Sequence, residues 1–323
     1  RYVQPFSSIG WLAFPLMALM LAAGFAALPH GLPRHGTTPA VYDARKAHGW
    51  AVVISAIILL TLAAGVALWR GMLLEQVVGQ PVARLPQWVG VLRDLGIVTI
   101  RTTAAPTIDI GQIAVVRDQV FLGLAISAGL PRALVLLMGL GAVAAALIAI
   151  TAALHTLSTT ISEDIVFGLA RQSPSPSLRV STARAAAGAS GVIAFAVAAL
   201  RADPLHLVLA AVTLSASAIF PVLVLSILWR RMTSWGALLG LLTGFGIAAL
   251  GLLVSEIGLL ALAAPLPAVV AMPAAVVMIV VGSYATRHGS RGNLELLRDM
   301  RVPGGETIRD RTARVQRAKE LLR

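Results

Sequence analysis

Long apolar runs separated by short polar stretches dominate this chain. Most of the runs are continuous and about 18 residues or longer, the length that an α-helix needs to cross a bilayer. Transmembrane barrel strands would instead alternate apolar and polar positions. We therefore predict an all-α polytopic membrane protein with about seven transmembrane helices. The predicted spans cover about 9–30, 50–69, 133–162, 185–200, 205–228, 236–254 and 267–285.

The composition supports this class. Of the 323 residues, 58% are hydrophobic and 12% are charged, whereas a soluble domain carries about 25% charged residues. The net charge of +12 lies in loops and tail rather than in a basic patch interleaved with aromatic residues. We therefore expect the lipid bilayer, and not nucleic acid, as a partner. The chain has no cysteine, which excludes disulfides and thiolate metal sites.

The basic residues of the loops fall on one side of the predicted helices. They are Arg34, Arg45, Lys46, Arg171, Arg179, Arg184, Arg230 and Arg231, together with the basic residues of the tail. The positive-inside rule makes this side cytoplasmic. We expect a multi-pass protein of the plasma (inner) membrane, with a membrane domain over 1–285 and a basic cytoplasmic tail over 286–323.

The predicted extracellular loop, residues 71–132, contains an apolar stretch, Val115–Ala128. This stretch is predicted to form an amphipathic helix at the membrane interface, with a ligand lid as the alternative. The tail segment 294–323 is charged and amphipathic, which is typical of a helix near anionic lipid headgroups.

The sequence contains no catalytic constellation. It has no HExxH or GxSxG motif, its six histidines are scattered, and the predicted spans hold no pairs of ionisable residues. We expect neither an enzyme nor a cofactor, apart from Na⁺ or H⁺ as a coupling ion. Polar residues and helix breaks within the spans are the remaining candidates for function.

The first candidate is the end of the first predicted span. Gly24 and Pro29 interrupt an apolar helix, and a broken helix frees backbone carbonyls that can hold an ion or solute. The alternative is that Pro29 merely ends the helix at the cytoplasmic face. The candidate binding residues here are Gly24, Phe25, Ala26, Ala27 and Pro29.

The second candidate is a hydroxyl-rich stripe in the third predicted span. Thr151, His155, Ser158 and Ser162 recur at spacings that place them on one face of a helix. Hydroxyls bonded back to their own helix are the alternative. His155 is either a packed or interfacial histidine or a proton relay. We take Thr151, His155 and Ser158 as candidate solute- or ion-binding residues.

A third pattern concerns helix packing. Arg230 and Arg231 end the fifth predicted span, because a charged side chain is costly in hydrocarbon. Gly236, Gly240 and Gly244 then recur every four residues, a spacing that allows two membrane helices to approach closely.

Three stretches resemble the sodium/solute symporter family. FPVLVLSILWRRMTSWGALLGLLTG (220–244) is similar to its signature, and LPHGLPRHGTTPAVYDARKA (28–47) to the segment that ends its discontinuous sixth helix. Residues 300–303, MRVP, resemble the tail of its cation/acetate (monocarboxylate) permease branch. The resemblance implies a leucine-transporter-type fold. Its C-terminal portion alone would be present, as the second inverted repeat (core helices 6–10) plus two peripheral helices.

The resemblance also implies a function. Proteins of this kind are secondary active transporters, here of a small solute such as the short monocarboxylate acetate, driven by a sodium or proton gradient. The family's sodium-site positions fall at Ala145, Ile148 and Ala149, whose side chains carry no oxygen, so this site is expected to be degraded. The alternative is a truncated, non-transporting membrane module, meaning a sensor, a scaffold or a partner subunit. Possible protein partners are a missing N-terminal half or a small membrane subunit.

Overall fold

The structure is a computed structural model that describes residues 10–32, 41–101, 107–168, 174–200, 203–259 and 265–286, and positions 312, 313, 316 and 320 of the tail. Apart from these four positions, the predicted tail helix lies outside the described residues. The elements in chain order are α1 (Ala13–Ala26), α2 (Val41–Gln76), α3 (Gln87–Asp94), β1 (Val98–Ile100), β2 (Ile113–Val115), α4 (Val120–Ser127), α5 (Arg132–Thr159), α6 (Pro176–Ala199), α7 (Pro204–Leu214), α8 (Phe220–Leu228), α9 (Ser234–Glu256) and α10 (Leu266–Ala285).

Among the described residues, six helical stretches are long and apolar enough to cross a membrane. They are α2, α5 with its extension to Phe167, α6, α7 continued into α8, α9 and α10. The predicted class, an all-α polytopic membrane protein, is confirmed. The first predicted span differs, because α1 has only 14 residues. At 1.5 Å per residue such a helix is about 20 Å long, shorter than the hydrocarbon core.

Two of the membrane helices contain a π-helical segment. Thr160–Phe167 continues α5, and Ser215–Ile219 joins α7 to α8. A π-helical turn is wider than an α-helical turn and is often found at functional sites. Pattern reasoning predicted both spans but assumed regular helices.

The chain divides into two compact units, which are described separately. The first unit comprises residues 1–44 and 152–323. Its centre is the packing of α9 on α10, where Gly236 and Gly240 are buried. A Cβ atom at Gly236 would overlap Ser283, and one at Gly240 would overlap Ile279. The predicted close approach along the glycine stripe is confirmed.

The same stripe reaches the π-helical segment of the first unit. Gly244 faces Ser217, and a Cβ atom at Gly244 would overlap the backbone carbonyl of Ser217. Helix α1 joins this core through Met20 and Ala23, which pack with Ala216 and Ala268. Small residues therefore allow α1, α9, α10 and the Ser215–Ile219 segment to pack closely against one another.

The second unit, residues 45–151, contains most of the predicted extracellular loop. This stretch contains regular secondary structure. Strands β1 and β2 pair antiparallel with Val98 opposite Val115, and α3 and α4 pack beside them. The buried core residues of this unit are Trp69, Leu73, Val77, Val89, Leu92, Ile97, Val98, Ile100 and Ile108.

The helix predicted within Val115–Ala128 forms as α4 and packs on α2. Gly123 of α4 lies against the Trp69 ring, where a Cβ atom would approach Cζ2 to 2.9 Å. The indole nitrogen of Trp69 is buried without a hydrogen-bond partner among the described residues. The period-two alternation of the strands was too short, at three residues each, to be read from the sequence.

Two glycines of α9 provide a matched test of the packing. We expect Gly244→Ala to destabilise the protein by about 1–3 kcal/mol, since the new methyl group meets backbone that cannot move aside. Gly246→Ala should be neutral or stabilising by up to about 1 kcal/mol, because no atom lies within 4 Å of the new Cβ. Unfolding in mild detergent measures both. Equal stability of the two variants would contradict the packing described above.

Candidate functional site

A cavity of about 580 Å³ lies within the first unit. It is bordered by the chain after α1, by the end of α5 and by α7. Its lining residues are Leu28, Pro29, His30, Ala153, Thr156, Leu157, Thr160, Val208, Ala211, Val212, Leu214 and Ser215.

One helix end and two interruptions of regular helix meet at this cavity. Helix α1 ends at Ala26, and the following turn, closed by a hydrogen bond from Gly31 N–H to the Leu28 carbonyl at 3.0 Å, carries Pro29 and His30. Thr160 and Ser215, which both line the cavity, are the first residues of the two π-helical segments. Irregular backbone at membrane depth occurs where it is buried in protein or lines a cavity.

The hydroxyl groups around the second π-helical segment stabilise its backbone. Thr213 Oγ1 donates to the Leu209 carbonyl at 2.6 Å, and Ser217 Oγ donates to the Thr213 carbonyl at 2.7 Å. Both side chains are almost completely buried. These bonds supply donors to carbonyls beside the widened turn, so the segment stays folded without water.

The walls of the cavity are mainly apolar. The hydroxyl groups of Thr160 and Ser215 and the imidazole of His30 are the polar exceptions at its edges, beside Thr156, whose hydroxyl donates to the Ala152 carbonyl at 3.0 Å. The lining residues include no Asp, Glu, Lys or Arg. Such a cavity can bind a small, partly apolar molecule through a few oriented polar groups.

Among the residues that the structure describes, contacts between acidic and basic side chains also occur outside the cavity lining. Glu163, in the first π-helical segment, pairs with Arg179 of α6. His206 of α7 lies 2.5 Å from Glu256 at the end of α9. All four side chains are substantially exposed, so each pair contributes little to stability.

The structure separates the five candidates near the end of α1. Gly24 is buried against α7, and a Cβ atom there would overlap the Val212 carbonyl, so Gly24 serves close packing inside a continuous helix. Phe25 and Ala26 are exposed in the last turn of the helix. Ala27 is buried at the C-cap. Pro29 lines the cavity.

The residues at the hydroxyl-rich end of α5 that line the cavity are not the candidates predicted from the sequence. Thr151 and His155 are exposed, and Ser158 is buried, but none of the three lines the cavity. Thr151 donates to the Leu147 and Ile148 carbonyls, and Ser158 donates to the His155 carbonyl. The alternative of hydroxyls bonded to their own helix therefore describes these groups.

Sequence reasoning missed Thr156 and Thr160, which line the cavity four residues apart. The signal was present, because both threonines belong to the same hydroxyl-rich run and share one helix face. Ser215 was also missed, although Thr213, Ser215 and Ser217 place hydroxyl groups at every second position of this apolar span. Only the position of the π-helical segments relative to α1 distinguishes these residues from their neighbours.

The three positions aligned with a sodium site lie in a stretch of α5, residues 140–151, in which every residue is exposed. Ala145, Ile148 and Ala149 are all exposed, and the Ile148 carbonyl already accepts the Thr151 hydroxyl at 3.0 Å. Within the described part of the chain, no group of three or more His, Cys, Asp or Glu side chains could hold a metal ion. Na⁺ binds through oxygen, as other hard cations do, and none of these three side chains carries one.

The fold defines a multi-pass α-helical membrane protein with a cavity bordered by two π-helical segments and by the turn after α1. The model of the sodium:solute symporter family matches residues 12–244. An uncharacterized symporter of Cupriavidus necator is 36% identical over 248 residues, a match that covers 76% of this chain and 36% of that relative. No solved structure matches. The chain belongs to the sodium:solute symporter family, a family of transporters, and spans about a third of the length of this relative.

Cysteine accessibility tests the cavity, because the chain has no cysteine of its own. In membranes, we expect a charged, water-soluble thiol reagent to modify Ala153→Cys and Thr160→Cys, whose side chains line the cavity. Ala145→Cys, on the exposed face of α5, should remain unmodified because hydrocarbon surrounds it. Modification is measured by mass shift. Equal labelling at all three positions would contradict the assignment of the cavity.

Proposed function

We propose that this chain is the solute-binding part of a secondary active symporter for a small solute, a short monocarboxylate such as acetate. The observation that carries the proposal is the cavity. The turn that follows α1 and the first residues of two π-helical segments meet there. Such interruptions are where secondary transporters bind solutes and ions. Membership of the symporter family supports the same class.

The chemistry of the lining supports a small carboxylate. His30 is the ionisable side chain of the cavity, and its protonated imidazole would pair with a carboxylate. The hydroxyls of Thr160 and Ser215 are further donors, and the apolar walls suit a methyl or short alkyl group. The resemblance of residues 300–303 to the acetate-permease branch points to the same substrates.

The coupling ion is Na⁺ or H⁺, and the lining favours H⁺. Ile148 and Ala149 offer no side-chain oxygen for sodium, whereas His30 can carry a proton at the cavity. Uptake of a carboxylate together with a proton would be electrically neutral. By the distribution of basic loops, the protein resides in the plasma (inner) membrane with its tail in the cytoplasm.

The proposed architecture is the second inverted repeat of a leucine-transporter-type fold with two peripheral helices. A partner that supplies the first repeat, either an N-terminal half or a separate subunit, would complete the solute site. The second candidate function is a non-transporting membrane module. The apolar side chains at Ala145, Ile148 and Ala149 favour it, because a chain that has lost sodium coupling and gained no other coupling ion cannot drive uphill transport.

Uptake by proteoliposomes tests the proposed function. We expect labelled acetate to accumulate under an inward proton gradient when the chain is reconstituted together with the partner that supplies the first repeat, and Ala211→Trp to reduce this uptake at least about ten-fold by filling the cavity. Leu207→Trp is the matched control, since Leu207 is one turn from Ala211 on the same helix and lies outside the lining. Absence of uptake by the unmodified protein under proton and sodium gradients would support the non-transporting module instead.

The sodium-site alignment has its own test. Replacing Ile148 with Ser and Ala149 with Thr restores the hydroxyls that the family carries, so we expect the double variant to gain or strengthen sodium dependence. Initial uptake rates are measured across a series of sodium concentrations at constant ionic strength. Rates that do not vary with sodium in the double variant would contradict the alignment.

A further inference from the structure

The turn between α8 and α9 holds two arginines in unlike environments. Helix α8 ends at Leu228, and Trp229 adopts an extended conformation that begins the turn. Arg230 is exposed, whereas Arg231 is partly buried and its guanidinium carbon lies 4.2 Å from the centre of the Tyr284 ring. The ring of Trp229 lies 5.9 Å from that of Tyr284 at an angle of 53°. The two rings therefore fix the orientation of one cation.

This turn is attached to the end of α10. The backbone N–H of Thr233 donates to Ser283 Oγ at 3.2 Å, and the Thr233 and Thr286 hydroxyls are 2.7 Å apart. Thr233 also caps α9, since its hydroxyl accepts from Gly236 N–H at 3.2 Å. The arginines consequently extend from a turn fixed at both sides, so binding of a ligand orders few additional groups.

Within the described part of the chain, Arg231 has an unpaired hydrogen-bond donor. Its Nε is buried and has no hydrogen-bond partner among the described residues. The sequence contains no Asp or Glu from Pro204 to Ser255 or from Ile257 to Thr286, so these helices provide no acidic side chain beside the turn. The carboxylate of Glu256 belongs to the opposite end of α9, about 35 Å away along a helix of 23 residues. A negatively charged ligand at the turn would therefore meet no repulsion from an acidic side chain of these helices.

The surroundings favour a lipid over a free anion. The helices that meet here are candidate membrane spans, and Trp229, Trp235 and Tyr284 are residues typical of the membrane interface. Leu228 is 65% and Trp235 is 63% exposed, which gives an apolar surface on both sides of the arginines. The N-terminus of α9 adds a partial positive charge at the same place. A phosphate joined to acyl chains fits this combination of cations and exposed apolar groups.

We propose that the turn 229–233 and Tyr284 form a binding site for an anionic phospholipid. Arg231, held on Tyr284, and Arg230 bind the headgroup phosphate, and Leu228 and Trp235 contact the glycerol and upper acyl region. A guanidinium suits this task because its fork of donors matches two phosphate oxygens. The site is distinct from the cavity and does not depend on solute transport.

Binding to the full chain in mild detergent tests the proposal, with phosphatidylglycerol and phosphatidylcholine as the probes and native mass spectrometry as the readout. We expect phosphatidylglycerol to bind more tightly than phosphatidylcholine. Each arginine near a lipid surface contributes about a five-fold change in affinity, so Arg231→Ala should weaken phosphatidylglycerol binding at least about five-fold. Tyr284→Leu should weaken it about two- to five-fold, because the charge stays but its support is lost.

Arg184→Ala is the matched control. Arg184 is an exposed arginine of α6, outside the turn 229–233, and its loss should change binding less than two-fold. Arg231→Lys keeps the charge but loses the planar fork, and should be intermediate between the native protein and Arg231→Ala. It also serves if Arg231→Ala does not fold, which its elution in gel filtration reveals.

Three results would overturn the proposal. Equal losses for Arg184→Ala and Arg231→Ala would mean a general attraction of surface charge. Equal binding of the two lipids would mean that the headgroup charge is not recognised. Full displacement of phosphatidylglycerol by millimolar inorganic phosphate would mean a site for free anions.

Discussion

The close approach of α9 to α10 and to the Ser215–Ile219 segment is the contact on which the first unit depends. Lipid provides no hydrophobic force between helices, so packing at short range must hold them together. Gly240 against Ile279 and Gly244 against the Ser217 carbonyl provide that contact. The contact with Gly244 holds the Ser215–Ile219 segment against α9. Helix α1 packs on the same segment through Ala23 and Ala216. The cavity lies at the edge of this assembly, and its shape follows from it.

An interrupted helix in a membrane must satisfy its own backbone. Here the hydroxyls of Thr213 and Ser217 donate to carbonyls next to the widened turn, and the hydroxyls of α5 do the same in their own helix. Several hydroxyl groups that the sequence suggests as ligand-binding groups therefore already donate to backbone carbonyls. The polar groups left for a solute are those at the starts of the π-helical segments and at the turn after α1. A transporter of small molecules needs few such groups, provided that they converge.

The amino-acid sequence determined the class and most of the spans, because continuous apolar runs and a four-residue glycine spacing are strong signals. The candidate residues lie only partly at the cavity. Pro29 lines it, in the turn that follows α1, whereas Gly24 packs against the Val212 carbonyl. Thr151, His155 and Ser158 were chosen over Thr156 and Thr160 because the sequence does not fix which face of α5 meets α7. Neither π-helical segment has a sequence signature, so their convergence required the three-dimensional structure.

The central claim is that the turn after α1 and the two π-helical segments surround one solute site. Hydrogen–deuterium exchange of the purified protein, with and without acetate, tests it most directly. Acetate should slow exchange together in 27–31, 160–167 and 215–219, and leave α3 and the β1–β2 pair of the second unit unchanged. Exchange that is unaffected in these three segments, or slowed in only one of them, would contradict the account.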